Sequence, residues 1–565
     1  MGHHHTHDHD HPHSHENVEP SDATDAGVPD EELSPSALSR RNLLRSAGLL
    51  GTGAAASTVL TAPSTASADT RSSSSGERRA GYLWLAGDHH IHTQYSSDAM
   101  YRVIDQVRHG NAYGLDWMVI TDHGGATHAR IGVDKVNPDI RAARDEVRDT
   151  LVFQGLEWNI PGAEHATVFV HPGRHEVGVL KQFENDYDGS VKNASDNTPA
   201  NEALAIAGLT FLKKQVDKGR VDDALFLANH PARRGVDSPH EIRAWRDAAP
   251  GIAIGFEGAP GHQAAGIPEP NGGGGGRGFY EGSPSANSFP GYPLESYRTW
   301  GGFDWMTSTV GGLWDSLLAE GKSWSISANS DCHVVWADTA ERGPDSNFDL
   351  NGRYNDPVHN GTILTSAGDF WPGFYSRTNV GASRQSYAAV MSGMRAGRIW
   401  VDHGHLIDGI DVQVRRAGHG PSGATIGGVL RVKRGAAVEL VVTVDLAQQP
   451  NWAQFVPRLA RVDVVRGDVT GKASDRDTFS APTARVASSF EVPAGAAKRF
   501  SFKLSLGKIE KSGYVRLRGT DGKRTATGLN GAAVDAHGPA LDVVGDADPW
   551  NDLWFYTNPV WVVVD

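Results

Sequence analysis

The sequence predicts an α/β chain, a (β/α) barrel followed by a C-terminal antiparallel β-sandwich. Two patterns carry that prediction. Seven short apolar runs, at 82–85, 115–120, 151–156, 166–170, 224–228, 251–256 and 323–327, nearly all lead into a His, Asp or Glu. Short apolar runs bounded by polar residues are typical of strands covered on both faces. In α/β barrels the residues at C-terminal strand ends gather on one rim. Beyond residue 404 the texture changes: 410–414, 438–444, 460–465, 500–504 and 514–518 alternate apolar and polar, with Gly and Pro in the turns between them. That alternation is the signature of half-buried antiparallel strands.

At 565 residues the chain is long enough for two to four domains. A formal net charge of −14 argues against a nucleic-acid binder. It leaves small phosphorylated substrates open, since local charge meets those. Residues 1–38 open with eight histidines among the first 15 residues and read as a disordered leader, although such a tract can bind metal. Residues 39–68 pair Arg40-Arg41 with a weakly apolar stretch and Ala66-Ser67-Ala68, the features of a twin-arginine signal peptide and its cleavage site. They predict a partner, the twin-arginine export machinery, and a periplasmic or secreted protein. No cysteine near the cleavage site offers a lipid anchor, and no later stretch is apolar for long enough to span a bilayer. Residues 69–80, with Ser72 to Ser75, read as a linker.

The barrel domain is expected over 81–404 and the sandwich over 405–565. Helical spacing places helices near 100–111, 202–218 and 312–321. Between Pro260 and Trp300 the chain is rich in Gly and Pro and fits no helix, so it is expected to be a substrate lid or a disordered loop. Cys332, the only cysteine, reads as a small buried filler.

On strand 1 the stretch Gly87-Asp88-His89-His90-Ile91-His92 puts His90 and His92 on one face, because residues two apart in a strand point the same way. With Asp98, Thr121-Asp122-His123, Glu157, His165, Asn229-His230-Pro231 and Asp331-x-His333, this ordered series resembles the metal motifs of the polymerase-and-histidinol-phosphatase (PHP) superfamily. The resemblance spans 81–404 and implies a distorted seven-stranded (β/α) barrel holding two divalent ions, or three. Three-metal members carry a His where Asp98 stands, which favours two. Residues 397–401 and 556–562 resemble the carbaryl-hydrolase-like branch of that superfamily, in which the barrel is joined to such a sandwich.

The resemblance implies His90, His92, Glu157 and Asp331 at one metal, and Asp98, His123, Glu157, His230 and His333 at a second, with Glu157 bridging and His165 at either site or a third. Mixed imidazole and carboxylate ligands suit Zn, Mn or Fe. Two such ions lower the pKa of a shared water and clamp attacking and leaving oxygens. The expected reaction is therefore hydroxide attack on a phosphate mono- or diester; the alternative is hydrolysis of an ester, amide or carbamate. A non-catalytic exported metal-binding protein is the third reading. Asp88 and Asp122 stand beside ligands and are candidates for fixing an imidazole. His171 and Glu257, at strand ends, are candidate general acids. Arg233 and Arg377 are candidates for bidentate contacts to phosphate oxygens.

Overall fold

The computed structural model describes residues 79–565 other than 281, 421, 497 and 525–536. The leader, the export signal and all but the last two residues of the linker lie outside them. Seven strands follow one another in the central sheet: β1 (Leu83–Ile91), β2 (Trp117–Ile120), β3 (Leu151–Asn159), β4 (His165–Val170), β5 (Ala224–Ala228), β6 (Ala253–Ala259) and β7 (Ser325–Ala328). β2, β5 and β6 are buried along their whole length, as their near-continuous apolar runs require.

β1–β2, β2–β3, β5–β6 and β6–β7 are parallel, whereas β4 is antiparallel to both of its neighbours. This corrects the expectation of uniformly parallel strands. The cause is local: only residues 160–164 separate β3 from β4, and a parallel crossover needs a dozen or more. The reversal puts the start of β4 on the rim where the parallel strands end. It sends the end of β4 to the opposite rim.

Three expected helices form at Val103–Ala112, Pro199–Asp217 and Leu313–Ala319. The second starts at 199 because the Thr198 hydroxyl accepts the Asn201 N–H and Pro199 has no N–H to leave unpaired. After β7, a short hairpin of β8 (Ala340–Glu341) and β9 (Val358–His359) precedes β10 (Ser376–Ala382) and β11 (Ile399–His403). β10 pairs antiparallel with β1 and with β11. Among the described residues β7 has no strand partner on its outer side, and side chains supply one. Thr378 Oγ1 accepts the Ala328 N–H at 2.8 Å and donates to its carbonyl at 2.5 Å. Asn558 Oδ1 accepts the Ile326 N–H at 2.9 Å, and its Nδ2 donates to the carbonyls of Ile326 and Ile399.

The C-terminal strands are β12 (Ile407–Arg416), β13 (Val429–Val432), β14 (Ala436–Leu446), β15 (Arg461–Asp468), β16 (Arg485–Glu491), β17 (Arg499–Ile509), β18 (Gly513–Thr520), β19 (Trp554–Thr557) and β20 (Val560–Val564). β12, β14 and β17 make one antiparallel layer. The rest lie in a second, and Val412, Leu440, Val464, Leu517 and Val562 share the core between the two. β19 pairs with β11, so the second layer continues into the central sheet and crosses the boundary expected at 404. The described residues of the segment from Pro260 to Trp300 form no α-helix, only short 3₁₀ turns at Gln263–Gly266, Arg277–Phe279 and Leu294–Tyr297. Ala264, Arg277, Tyr280 and Tyr297 in it are buried, which makes it a packed wall. No helix among the described residues is long and apolar enough to cross a membrane.

Candidate metal centre

The rim of the central strands carries a buried cluster of imidazoles and carboxylates. His90 and His92 leave the end of β1 on one face, and their Nε2 atoms stand 3.0 Å apart. His90 Nδ1 faces Glu257 Oε1 at 2.7 Å and His92 Nδ1 faces Ser96 Oγ at 2.9 Å. With the Nδ1 hydrogens so engaged, both Nε2 atoms turn lone pairs towards one point. Asp331 Oδ1 lies 3.1 and 3.2 Å from these two nitrogens, and Glu157 Oε1 lies 3.1 Å from that of His90.

Glu157, in the second half of β3, joins this group to the others. Its Oε1 is 3.0 Å from His165 Nδ1 and 3.3 Å from His230 Nε2, and its Oε2 is 2.7 Å from His123 Nδ1. His123 Nε2 in turn meets Asp98 Oδ2 at 3.0 Å, and His333 Nε2 is 3.4 Å from His123 Nε2 and 3.5 Å from Asp98 Oδ1. The geometry thus places His165 and His230 on Glu157 Oε1 and His123 on its Oε2, with Asp98 and His333 gathered beyond His123.

The donor set fits divalent metal. Glu157 Oε2 and Asp331 Oδ1 are buried among imidazole nitrogens but make no well-aligned hydrogen bond, a costly state that a cation relieves. Triads of ligand atoms lie within 4.8 Å of one another at His90, His92 and Asp331 and at His92, His123 and His333, among others. Burial disfavours ionising Glu157 and Asp331, but the surrounding imidazoles outweigh it and hold both carboxyls well below the usual range. Burial, with His333 and His123 beside it, keeps His92 low, and burial with Arg233 brings His230 down to about 4. Against the same burial, the neighbouring carboxylates lift His90 and His123 well above the ordinary histidine value. The cluster therefore draws positive charge, and an arriving cation displaces those protons.

Three site residues that are not glycine hold a left-handed backbone: His230 (φ 29°), His262 (φ 53°) and Asp331 (φ 48°). Such strain persists where the surroundings over-determine it, commonly at functional sites. The His230 N–H donates to Glu257 Oε2 at 2.6 Å, which fixes that turn. Gly261 lets the 260–300 segment reach Asp331, since a Cβ there would lie 2.2 Å from Asp331 Cβ.

The other expected residues are distributed as follows. Arg233 lines a cavity of 430 Å³ that also opens onto Glu157, Asp331 and His333, and its Nη2 is 3.4 Å from Glu164 Oε2. Glu257 is buried behind His90 and outside that cavity, so it positions ligands and is out of reach of a leaving group. His171 follows the reversed strand β4, and its Nδ1 is bonded to the Pro172 carbonyl, away from the cluster. Arg377 forms a two-point ion pair with Asp402 between β10 and β11 and does not line the cavity. Asp88 and Asp122 bond no imidazole in the cluster. Asp88 accepts the N–H groups of His90 and Ser330, and Asp122 accepts the Thr93 N–H and the hydroxyls of Thr93 and Ser96. Cys332 is buried, with Gln106 Nε2 3.3 Å from its sulfur.

Sequence reasoning passed over three residues. His262 Nε2 is 2.9 Å from Asp331 Oδ2, and its Nδ1 is 2.5 Å from Asp369 Oδ1. Asp369 Oδ2 also accepts the His333 and Val334 N–H groups. Glu164 sits beside His165 and His230. His262 and Asp369 lie in loops without periodicity. Glu164 alone had a signal, its place next to His165.

No curated protein matches the chain. Among solved structures, a two-domain protein from Bacteroides vulgatus containing a predicted PHP-like metal-dependent phosphoesterase is 15% identical. The alignment covers 78% of this chain and 92% of that one, with a TM-score of 0.31. A beta-glucosidase from Listeria innocua is 12% identical over 28% of this chain and 17% of that one, with a TM-score of 0.12. Residues 88–230 match the family model of the PHP domain, a stretch that takes in the ligand-type residues from His90 to His230 and leaves Asp331 and His333 to the chain beyond it.

Proposed function

We propose that the chain is a metal-dependent phosphoesterase acting on phosphate mono- or diesters. The observation that carries this reading is Arg233, a guanidinium on the wall of the cavity into which the carboxylate and imidazole cluster opens. His90, His92, Glu157 and Asp331 would hold one ion; His165 and His230 with Glu157, or Asp98 with His123 and His333, would hold a second. Bound there, divalent Zn, Mn or Fe acidifies water and offsets negative charge on substrate oxygens. Glu157 and Asp331 present ionised oxygens to the metal, and His230 presents a neutral imidazole. Glu257 keeps His90 in the required tautomer. Arg233, anchored by Glu164, is placed to take a phosphoryl oxygen.

The test compares p-nitrophenyl phosphate with p-nitrophenyl acetate on metal-loaded protein. Arg233→Lys keeps the charge against Glu164 and loses the fork. It should lower kcat/KM for the phosphate ester by about 10- to 100-fold and leave the acetate rate unchanged. Arg377→Met serves as the distant control. Equal turnover of the phosphate by Arg233→Lys and wild type would remove the role given to Arg233, and no turnover of the phosphate by wild type would remove the phosphoesterase assignment. Turnover of the acetate alone would favour the ester, amide or carbamate reading.

The protein is also proposed to leave the cytoplasm by the twin-arginine pathway, on the support of Arg40-Arg41 and Ala66-Ser67-Ala68. Replacing both arginines by lysine should leave the precursor inside the cell. Unchanged export of that variant, read by fractionation and immunoblot, would refute the assignment.

A further inference from the structure

Phe279 is the one large, exposed hydrophobic side chain among the described residues that lines the metal-centre cavity. It is 46% exposed, whereas the neighbouring Tyr280 is 5% exposed. Its backbone is left-handed (φ 52°), directly after Gly278 (φ 76°). A bulky residue in that region is strained, and its exposure means that core packing does not compensate. The ring leans on His262, centroid to centroid 4.6 Å at 46°, and His262 in turn holds Asp331. At its tip the ring meets Gly368, where a Cβ would come within 2.2 Å of Phe279 Cζ. Val334 adds an apolar contact to the same cavity.

The platform is fixed relative to the anion-binding wall. Asp304 Oδ2 accepts both the Ala232 N–H, at 3.0 Å, and the Tyr280 hydroxyl. One carboxylate thus ties the residue before Arg233 to the residue after Phe279. A ligand in the cavity meets the metal-ligating cluster and Arg233 with one end, and a half-bare aromatic face with the other.

We propose that Phe279 determines specificity: it is a stacking platform for an aryl group, so the preferred substrates are phosphate esters of flat aromatic alcohols over those of small aliphatic ones. This rests on the phosphoesterase reading for the reaction, although not for the contact. Calorimetric titration of the metal-loaded protein with phenylphosphonate and with methylphosphonate tests it, because the two probes share a charge and differ by the ring. Wild type should bind phenylphosphonate about tenfold more tightly than methylphosphonate. Phe279→Ala should abolish that ratio while leaving methylphosphonate affinity unchanged, and Phe279→Tyr should restore it. If Phe279→Ala fails to take up metal, Phe279→Leu, which keeps apolar bulk without a ring, is read in its place. Equal affinities in wild type, a ratio that survives loss of the ring, or no binding of either probe would each overturn the proposal. An aryl preference in binding with no turnover of p-nitrophenyl phosphate removes the phosphoesterase reading and leaves the platform. Turnover without the preference does the reverse.

Discussion

Glu157 is the pivot of the site at the scale of single residues. Its two oxygens reach imidazoles from β1, from β4 and from the loops after β2 and β5, and no other side chain among the described residues meets all of these. Such a carboxylate works only if the imidazoles around it are held in register, and Glu257 does this for two of them: one oxygen takes the His90 Nδ1 hydrogen and the other takes the His230 N–H. Glu257→Gln keeps the volume but places an amide donor against one of those donors. Metal affinity should fall about 10- to 100-fold, as for other partners of ligating histidines; competition against a chromophoric chelator measures it, and unchanged affinity would show that Glu257 has no such role. Histidines and acids at strand ends were legible because a period of two and a strand terminus are both written in sequence. His262 and Asp369 were not, since loop residues reach the site through turns such as the left-handed one at His262. His171 and Arg377 drew attention for their residue type, and tertiary placement decides against both.

At the scale of elements, the reversed β4 and the seam beside β7 shape the centre. Reversal brings His165 to the ligand rim from the start of its strand and takes His171 away from it. Strand direction is set by the length of the β3–β4 turn, which the apolar runs themselves do not reveal. The seam depends on Asn558, whose amide mimics a strand for Ile326 and also reaches Ile399. Asn558→Ala leaves buried backbone groups of β7 without partners, at about 1–3 kcal/mol each. Urea unfolding of the variant should show a loss of about 3 kcal/mol; a loss below about 1 kcal/mol would mean that water or backbone shifts satisfy those groups as well. Core strands such as β2 and β5 were legible from their apolar runs. β10 was missed because Ser376–Ala382 mixes polar and apolar residues without clear alternation.

Across the whole molecule, the central strands and the C-terminal strands share one sheet through β11 and β19, and Asn558 of the C-terminal region closes the seam at β7. The C-terminal region is thereby part of the scaffold that holds Asp331 and His333 opposite His90 and His92. A change of strand texture near 404 marks where alternation begins, but hydrogen bonding between distant strands ignores that point. With an overall charge of −14, attraction of the proposed anionic substrate would fall to local features, the proposed metal and Arg233. The convergent imidazoles and carboxylates are proposed to form a metal centre that hydrolyses phosphate esters. The most direct measurement of it is the rate of p-nitrophenyl phosphate hydrolysis by metal-free protein, titrated with Mn or Zn. The account predicts no turnover at the start and a rise that saturates at about two to three equivalents per chain, absent in Asp331→Ala. Turnover independent of added metal, or none at any metal ratio, would contradict it.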